Sequence, residues 1–386
     1  MTAWRATAAL VLLACSTVHA ADDWTLTTAD FMTRPVTPRG LDASSLTVAT
    51  DGVEQTVPLA SIVSLTRSGR AKAADGLVLY VDDGQRLLGV PGRIDGANLI
   101  WTVTGVGDIA VPVESALAVM RDHATPAANS TTATEDVAKL VSGDAVRGIL
   151  SEASAEAFSF TPATGGDAVR VSPKSVASIE FAAPPGGRKP PAAPAFLVRT
   201  GGSVVAASGL RLTGDKLTLA GGGHDVTVPL ANVTAVEHTG GPVSWLSDRR
   251  PVESTHTPYL GGNLPARFDT DVLGNPIRVG GVTYAHGIGV HSRSKLVFDV
   301  RPGDKTFRTR YAIDGSLGRA DVDIRVRVDD KVVHEQKGFK AGGVSPIISA
   351  DVAGAKTVTL EVDYGGGYDV QDRVNWIEPA MVRAGK

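Results

Sequence analysis

One pattern recurs four times between residues 24 and 238, and it constrains the fold more than any other feature of the sequence. In each copy an alternating run meets a proline, makes one tight turn and resumes as a second short apolar run. The copies are QTVPLASIVSL, IAVPVESALAV, VRVSPKSVASI and VTVPLANVTAV, at residues 55–65, 109–119, 169–179 and 226–236. Because proline has no N–H for a ladder hydrogen bond, it marks the place where a strand stops pairing. The repeat therefore predicts four β-units.

Hairpin-like segments precede the second, third and fourth copies. Two of them place Asp83-Gly84 and Gly201-Gly202 between strand-like runs, and such pairs favour primed turns because those positions need φ > 0. A unit of about four short strands buries little core by itself. We therefore expect the units to associate in pairs as small barrels or sandwiches, similar in outline to Sm-like or SH3-like barrels.

Two linkers suggest how the units are grouped. Residues 124–132 are small and polar, and residues 182–191 are rich in Pro and Gly, so neither segment can build a core. The first linker separates units 1 and 2, predicted at 22–122, from units 3 and 4, predicted at 136–240. The second linker is either a surface loop within a pair or a true boundary.

Composition favours an all-β fold for the whole chain. The 386 residues include 43 Gly and 22 Pro, and they contain no long stretch of apolar positions at helical spacing. The formal net charge of -3 provides no bulk attraction to nucleic acid or to an anionic membrane. We predict no nucleic-acid partner and no membrane span.

The first twenty residues have the pattern of an export signal. Arg5 precedes an apolar run over residues 6–14, and Val18-His19-Ala20 is a small-residue cleavage site, which predicts a signal peptide at 1–20. The alternative is lipoprotein processing before Cys15, whose surroundings resemble a lipobox. Cys15 is the only cysteine, so disulfides are excluded. The predicted location is the periplasm, the outer surface or the medium.

A different strand series begins at residue 243. Its clearest member is DVDIRVRVD at 321–329, in which aliphatic residues alternate with charged ones, so that one face meets a core and the other meets water. Further strand-like runs follow at 346–352, 356–364 and 374–382. This rhythm predicts an antiparallel β-sandwich.

Five motifs in this part of the chain carry a family resemblance. They are WLSD, GVTYAHGIGVHS, IDG, VDDK and DVQDRVNW, at residues 245–248, 281–292, 313–315, 328–331 and 369–376. Their order and spacing resemble the NPCBM domain, a family named as a carbohydrate-binding module, over 243–384. The resemblance implies a jelly-roll β-sandwich from secreted bacterial proteins, often attached to glycoside hydrolases, with galactose-type glycans as ligands in some members.

The loop before the last strand holds most of the candidate ligand residues. Sugar recognition needs an aromatic face for the apolar side of the ring and polar groups for its hydroxyls. The residues that supply this chemistry are Trp376, Asp372, Arg373 and Asn375, together with Tyr368 in the adjacent glycine-rich loop. The alternative is that Trp376 belongs to the core and that Asp372 caps a turn. Arg373 and Asn375 also depart from the His and Asp that the family often has, which leaves the sugar specificity open.

Two histidines of this domain are candidate metal ligands. His286 and His291 are five residues apart, so on an extended chain they point to opposite faces, and no shared metal ion is predicted. We predict a ligand contact for His286 and a structural hydrogen bond for His291. Gly287 and Gly289 are predicted to let the backbone bend or approach another strand.

Asp314 is open to three interpretations. It can cap a turn, contact a ligand, or hold a structural calcium ion, which prefers oxygen ligands. The turn is the preferred interpretation. No cofactor other than this calcium is predicted.

The sequence shows no motif for covalent chemistry. It contains no Gly-x-Ser-x-Gly elbow, no His-Glu-x-x-His and no P-loop, and Asp321 and Asp323 are interpreted as a solvated charge ladder rather than a glycosidase pair. We therefore predict a secreted, non-catalytic carbohydrate-binding protein. The alternative is an envelope scaffold that binds a protein partner through its N-terminal β-units.

Overall fold

The computed structural model describes residues 24–67, 76–121, 134–188, 194–221, 225–259, 262–314 and 318–383. The predicted signal peptide, Cys15 and the linker at 124–132 lie outside these residues. The regular structure of the described residues consists of strands and five 3-10 helices, which confirms the all-β prediction. None of the helices in this part of the chain has the length and apolar composition needed to cross a membrane.

The four repeats fold into four similar β-units. In unit 1, strands β1 to β5 occupy Trp24–Thr28, Thr33–Leu41, Ser45–Thr50, Val53–Pro58 and Ile62–Arg67. In unit 2, strands β6 to β10 occupy Leu77–Val81, Arg86–Asp95, Asn98–Val103, Gly107–Pro112 and Ala116–Met120. In unit 3, strands β11 to β15 occupy Asp136–Leu140, Ala145–Ala153, Phe158–Thr161, Val169–Val171 and Val176–Glu180. In unit 4, strands β16 to β21 occupy Phe196–Thr200, Ser203–Ala207, Gly209–Thr213, Lys216–Ala220, Val226–Pro229 and Val233–Glu237.

Each unit is a bent antiparallel sheet whose last strand returns to its first. In unit 1, β1 pairs with both β2 and β5, while β2, β3 and β4 form a meander. The 3-10 helices between the last two strands of the units are Leu59–Ser61, Val113–Ser115, Pro173–Ser175 and Leu230–Asn232. The repeated proline thus ends a strand or begins the helical turn, as its missing N–H requires. This arrangement matches the small-barrel outline predicted from the sequence.

The units join mainly through their closing strands, and β17 with β7 and β18 with β2 make further pairings between units. The domain boundaries predicted from the linkers stay a prediction. β5 of unit 1 pairs with β21 of unit 4, and β10 of unit 2 pairs with β15 of unit 3. The physical reason is that each closing strand has a second, free edge, which another closing strand can satisfy. One continuous apolar core runs through all four units.

The C-terminal part is a sandwich of two antiparallel sheets. One sheet contains the strands Val243–Trp245 (β22), Arg267–Phe268 (β24), Gly287–His291 (β27), Asp304–Ile313 (β29), Ile348–Asp351 (β32) and Arg373–Arg383 (β34). The other contains Glu253–His256 (β23), Ser294–Asp299 (β28), Asp321–Val328 (β30), Lys331–Lys340 (β31) and Thr357–Tyr364 (β33). A small hairpin of Arg278–Val279 (β25) and Val282–Thr283 (β26) and a 3-10 helix, Leu246–Asp248, complete the domain.

The predicted alternation in β30 places its aliphatic residues in the sandwich core. Val322, Ile324 and Val326 are fully buried and pack with residues of the opposite sheet. The charged residues between them stay partly exposed, and Arg325 pairs with Glu335 on β31 at 2.8 Å. The period of two therefore decides which face of this strand meets the core.

The sandwich also contacts unit 1. Val63, Val243, Trp245 and Ala380 form a small apolar cluster, against which Phe31 packs. The guanidinium of Arg308 lies 4.0 Å from the centre of the Phe31 ring and donates a hydrogen bond of 2.9 Å to the carbonyl of Asp30. Both domains thus contribute to one packed junction.

Candidate functional site

Three tyrosines meet at one end of the sandwich. Tyr364 ends β33, Tyr368 lies in the loop before β34, and Tyr259 lies in the loop after β23. The ring of Tyr259 lies 5.7 Å from Tyr364 and 5.2 Å from Tyr368, between ring centres. Tyr259 is 49% exposed and Tyr368 is 62% exposed. We call these three residues the tyrosine cluster; it presents aromatic surface to solvent where loops meet.

Hydrogen bonds between side chains and backbone groups hold the loops that carry the tyrosine cluster. The Tyr364 hydroxyl donates to the carbonyl of Thr257 at 3.0 Å, and the Tyr259 N–H donates to Asp369 Oδ2 at 3.3 Å. Gly365 allows a close approach that another residue would prevent, because a Cβ there would lie 2.3 Å from a carboxylate oxygen of Asp321. The rings are therefore positioned by contacts between segments that are distant in sequence.

Polar groups surround the tyrosine cluster. The Arg293 guanidinium lies 5.6 Å from the centre of the Tyr364 ring, and the imidazoles of His256 and His291 meet edge to face at 5.8 Å. Burial lowers the pKa of His291, and the nearby His256 lowers it further, although Asp369 opposes this. A neutral imidazole offers one donor and one acceptor. This end of the sandwich therefore combines aromatic faces with groups that can bind hydroxyls.

Of the predicted ligand residues, Tyr368 lies in this cluster and Trp376 does not. Trp376 is 0% exposed and packs in the core, with its ring 5.9 Å from that of Tyr311. The physical reason is that β34 is a central strand, paired on one side with β27 and on the other with β29. The prediction that Trp376 stacks on a sugar is therefore corrected, because its ring has no face toward solvent.

The polar residues around Trp376 have structural partners. Asn375 is 1% exposed, and its side-chain amide donates to Asp314 Oδ1 at 2.8 Å, while the Arg373 guanidinium lies 3.7 Å from Asp314 Oδ2. Burial raises the pKa of Asp314, which the hydrogen bond from Asn375 opposes. These neighbours of Asp314 are donors rather than the oxygen ligands that calcium prefers. Calcium binding at Asp314 stays a prediction.

Asp372 links the last loop to two other segments. Its Oδ1 accepts a hydrogen bond of 3.1 Å from the Asp321 N–H, and its carbonyl accepts one of 3.1 Å from the Ser292 N–H. The residue is 0% exposed, so it does not reach a ligand at the surface. Burial raises the pKa of Asp372 to about 6.

The buried carboxyl of Asp372 predicts a pH dependence of stability. Its pKa in the folded protein, about 6, lies above the ordinary value of 3.8, so the folded state binds the proton more tightly than the unfolded state. Stability should therefore decrease as pH rises from about 4 to about 6. Asp372→Asn should reduce this decrease in urea unfolding at pH 4, 5, 6 and 7. The exposed Asp330→Asn is the control, and an identical pH profile for Asp372→Asn and wild type would contradict the prediction.

His286 lies at the junction with the N-terminal units, away from the tyrosine cluster. Its imidazole stacks on Trp245, with ring centres 4.5 Å apart and planes at 8°, and its Nε2 lies 2.8 Å from Glu237 Oε1 of unit 4. His291 contacts His256 instead, so the two histidines lie in different surroundings. The ring of His286 is therefore distant from Tyr368, and its ligand contact stays a prediction.

The two glycines of the HGIGVH segment allow close approach of the backbone. A Cβ at Gly287 would lie 2.4 Å from Ile277 Cδ1 and 2.8 Å from the Trp376 carbonyl oxygen. At Gly289 it would lie 2.3 Å from backbone atoms of Asp271 and Val272. Only glycine fits these positions in β27 without displacing a neighbouring segment.

The sequence prediction did not include Tyr259, His256 or Arg293. Tyr259 and Asp369 are 110 positions apart, so no local motif joins them. The available signal was weak: Tyr259 lies between two strand-like runs, where binding surfaces often occur. Tyr368 was predicted because it belongs to the glycine-rich loop.

The C-terminal domain is a sandwich of two antiparallel sheets with the tyrosine cluster at one loop end. Residues 242–382 match the family model of the NPCBM/NEW2 domain, which confirms the resemblance found in the sequence motifs. The family match supports a carbohydrate-binding module. A search of the curated proteins finds no match to this chain.

Solved structures similar to the chain include carbohydrate-binding modules. One is CBM51 from Clostridium perfringens GH95 in complex with methyl-galactose, which is 21% identical with a TM-score of 0.33, the match covering 36% of this chain and 99% of that one. Another contains CBM51-2 in complex with GlcNAc and INT domains from Clostridium perfringens ZmpB, at 22% identity and a TM-score of 0.34, covering 44% of this chain and 36% of that one. The tandem CBM51 modules of a Streptococcus pneumoniae family 98 glycoside hydrolase match at 12% identity and a TM-score of 0.32, covering 93% and 88%.

Proposed function

We propose that the protein binds a galactose-type glycan at the tyrosine cluster of its C-terminal sandwich and does no covalent chemistry. The observation that carries this proposal is the group of three neighbouring tyrosine rings, two of them strongly exposed, at a loop end of the sandwich. An aromatic face attracts the apolar C–H face of a sugar ring, and a contiguous group of exposed apolar side chains marks an interaction surface more often than a single one does. The choice of galactose follows from the family resemblance.

The polar groups around the tyrosine cluster fit the hydroxyls of a sugar. His291 and Arg293 lie at the end of β27 and in the turn after it, and Asp369 lies in the Tyr368 loop. Together they provide an imidazole, a guanidinium and a carboxylate, which can both donate and accept hydrogen bonds. Since the site is shallow, we expect weak binding, because few buried contacts remain after the cost of ordering the ligand.

The surroundings of Asp321 and Asp323, the two carboxylates considered as a glycosidase pair, support binding without turnover. Asp323 Oδ1 accepts a hydrogen bond of 2.9 Å from the Gly338 N–H, and Asp321 packs against the glycine-rich loop at Gly365. Asp323 therefore has a structural hydrogen bond, whereas Asp321 Oδ1 is buried beneath the glycine-rich loop without a hydrogen-bond partner. The export signal proposed for the N-terminus would place the protein outside the cytoplasm, where a glycan partner is available, with the β-units as a spacer.

Tyr368→Ala should weaken glycan binding with little change in stability. The ring is 62% exposed, so its removal costs the folded protein little, whereas stacking on a sugar contributes about 1 kcal/mol, which is roughly a fivefold change in affinity. The measurement is a calorimetric titration of the full chain with a galactose disaccharide. Tyr368→Phe keeps the ring and should retain most of the affinity.

Phe268→Ala is a matched control, because this ring on β24 is also exposed but lies outside the tyrosine cluster. If Tyr368→Ala and Phe268→Ala bind as tightly as the wild type, the site is placed wrongly. If the wild type binds no glycan and the N-terminal β-units capture a protein partner, the scaffold alternative replaces the proposal.

A further inference from the structure

One histidine and three carboxylates meet where unit 4 contacts the sandwich. Glu237 ends β21, Asp248 ends the 3-10 helix after β22, Asp269 follows β24, and His286 precedes β27. We call these four residues the junction cluster. It lies apart from the tyrosine cluster, and nothing in the proposed glycan binding makes use of it.

Glu237 determines how the His286 ring is oriented. Its Oε1 lies 2.8 Å from Nε2 and also accepts a hydrogen bond of 3.0 Å from the Trp245 indole. A carboxylate at Nε2 favours a proton on that nitrogen, so a metal ion at Nδ1 would replace only the second proton of the ring. Histidines that bind a metal ion commonly have a carboxylate in this position.

The other ring nitrogen faces the remaining carboxylates. Nδ1 of His286 lies 3.7 Å from Asp269 Oδ1. Both ring nitrogens of His286 are buried, and neither makes a hydrogen bond of good geometry. Donor atoms of Asp248, Asp269 and His286 all lie within 4.8 Å of one another. A separation of 3.7 Å is long for a hydrogen bond. Two ligands of one tetrahedral ion with bonds of about 2.0 Å lie roughly 3.3 Å apart, so the three donor groups would move together by up to about 1.5 Å around an ion.

We propose that the junction cluster binds a divalent first-row transition metal ion of the zinc type through His286 Nδ1, Asp248 and Asp269. Glu237 acts as the positioning residue for the imidazole. One imidazole nitrogen with two carboxylates suits such an ion, whereas calcium and magnesium prefer oxygen ligands alone. The Asp269 side chain is 39% exposed, which gives an ion access from solvent. This inference is independent of the proposed glycan binding.

The carboxylates of the junction cluster also affect the protonation of His286 and of one another. Burial opposes a charge on His286, but Asp269 and Glu237 outweigh it and raise the pKa of this histidine to about 10. Burial, together with Asp269 and Glu237, raises the pKa of Asp248 to about 6, although His286 opposes this. Burial opposes a charge on Glu237, but the hydrogen bond and charge of His286, together with the charge of Arg199, outweigh it and lower the pKa of this carboxyl.

The binding test uses the full chain after removal of metal ions by a chelator. Titration with ZnCl2 should show a site that Asp248→Asn weakens about tenfold or more and that the double variant Asp248→Asn with Asp269→Asn removes. The control is Asp330→Asn, a carboxylate in the turn after β30, which should leave the affinity unchanged. CaCl2 should bind the same site far more weakly.

A second measurement identifies the ligands. Cobalt(II) in place of zinc should give visible absorption bands that the double variant loses, even if that variant is also less stable. Zinc titration or cobalt spectra that are identical in the wild type and the double variant would overturn the proposal. So would the absence of any zinc binding by the wild type. Glycan binding is measured separately, so a failure here leaves the proposed function untouched.

Discussion

Asp304→Asn is expected to lower the free energy of unfolding by about 3–5 kcal/mol. Arg249 and Asp304 form a two-fold hydrogen-bonded ion pair, with N–O distances of 2.9 and 3.1 Å. Their side chains are 1% and 0% exposed, so water cannot solvate a guanidinium that has lost its counter-charge. The neutral amide keeps the shape of the carboxylate, which makes the loss of charge the main effect.

The measurement is the shift of the urea unfolding midpoint at constant slope. Glu253→Gln is the matched control, because Glu253 pairs with Lys295 at 3.0 Å while both side chains are exposed. Exposed pairs contribute about 0–1 kcal/mol, so this variant should stay close to the wild type. An Asp304→Asn variant as stable as Glu253→Gln would show that the pair does not support the sandwich.

Trp376→Ala should also lower the stability by about 3–5 kcal/mol, because it leaves a cavity in the sandwich core. The ring is 0% exposed and contacts Tyr311 edge to face, so its removal exposes no ligand surface. Trp376→Phe should cost less than half as much, since it keeps an aromatic ring and removes an indole N–H that has no hydrogen-bond partner.

Glycan titration distinguishes this result from a role in stacking. At temperatures where it remains folded, Trp376→Phe should bind glycan like the wild type. If either Trp376 variant kept the stability of the wild type but bound glycan more weakly, the assignment of Trp376 to the core would be contradicted. Trp376 would then be a ligand residue.

The sequence predicted local patterns better than long-range pairings. The repeat identified the four β-units, because the proline and the alternation act within a few residues. The pairing of β5 with β21 could not be predicted from the sequence, because most of the N-terminal region separates the two strands and the linkers carry no information about which edges meet. The period of two in β30 was sufficient to assign its buried face.

Only part of the candidate site could be predicted, because some of its residues meet through contacts between segments that are distant in sequence. Tyr368 was recognised from its glycine-rich loop, but Tyr259 joins it only after β23 and β33 are folded. Trp376 looked like a ligand residue because polar residues precede it, and only the position of β34 between two strands shows that it is buried. His286 could not be assigned from sequence, because its partner Glu237 belongs to another domain.

The most direct test of the central claim is a glycan array probed with the full chain and with the double variant Tyr259→Ala with Tyr368→Ala. The wild type should bind galactose-terminated glycans above others, and the double variant should lose this signal while keeping the unfolding midpoint of the wild type. A folded wild-type protein that binds no glycan on a broad array would contradict the account. Equal binding by the folded double variant would equally contradict the placement of the site at the tyrosine cluster.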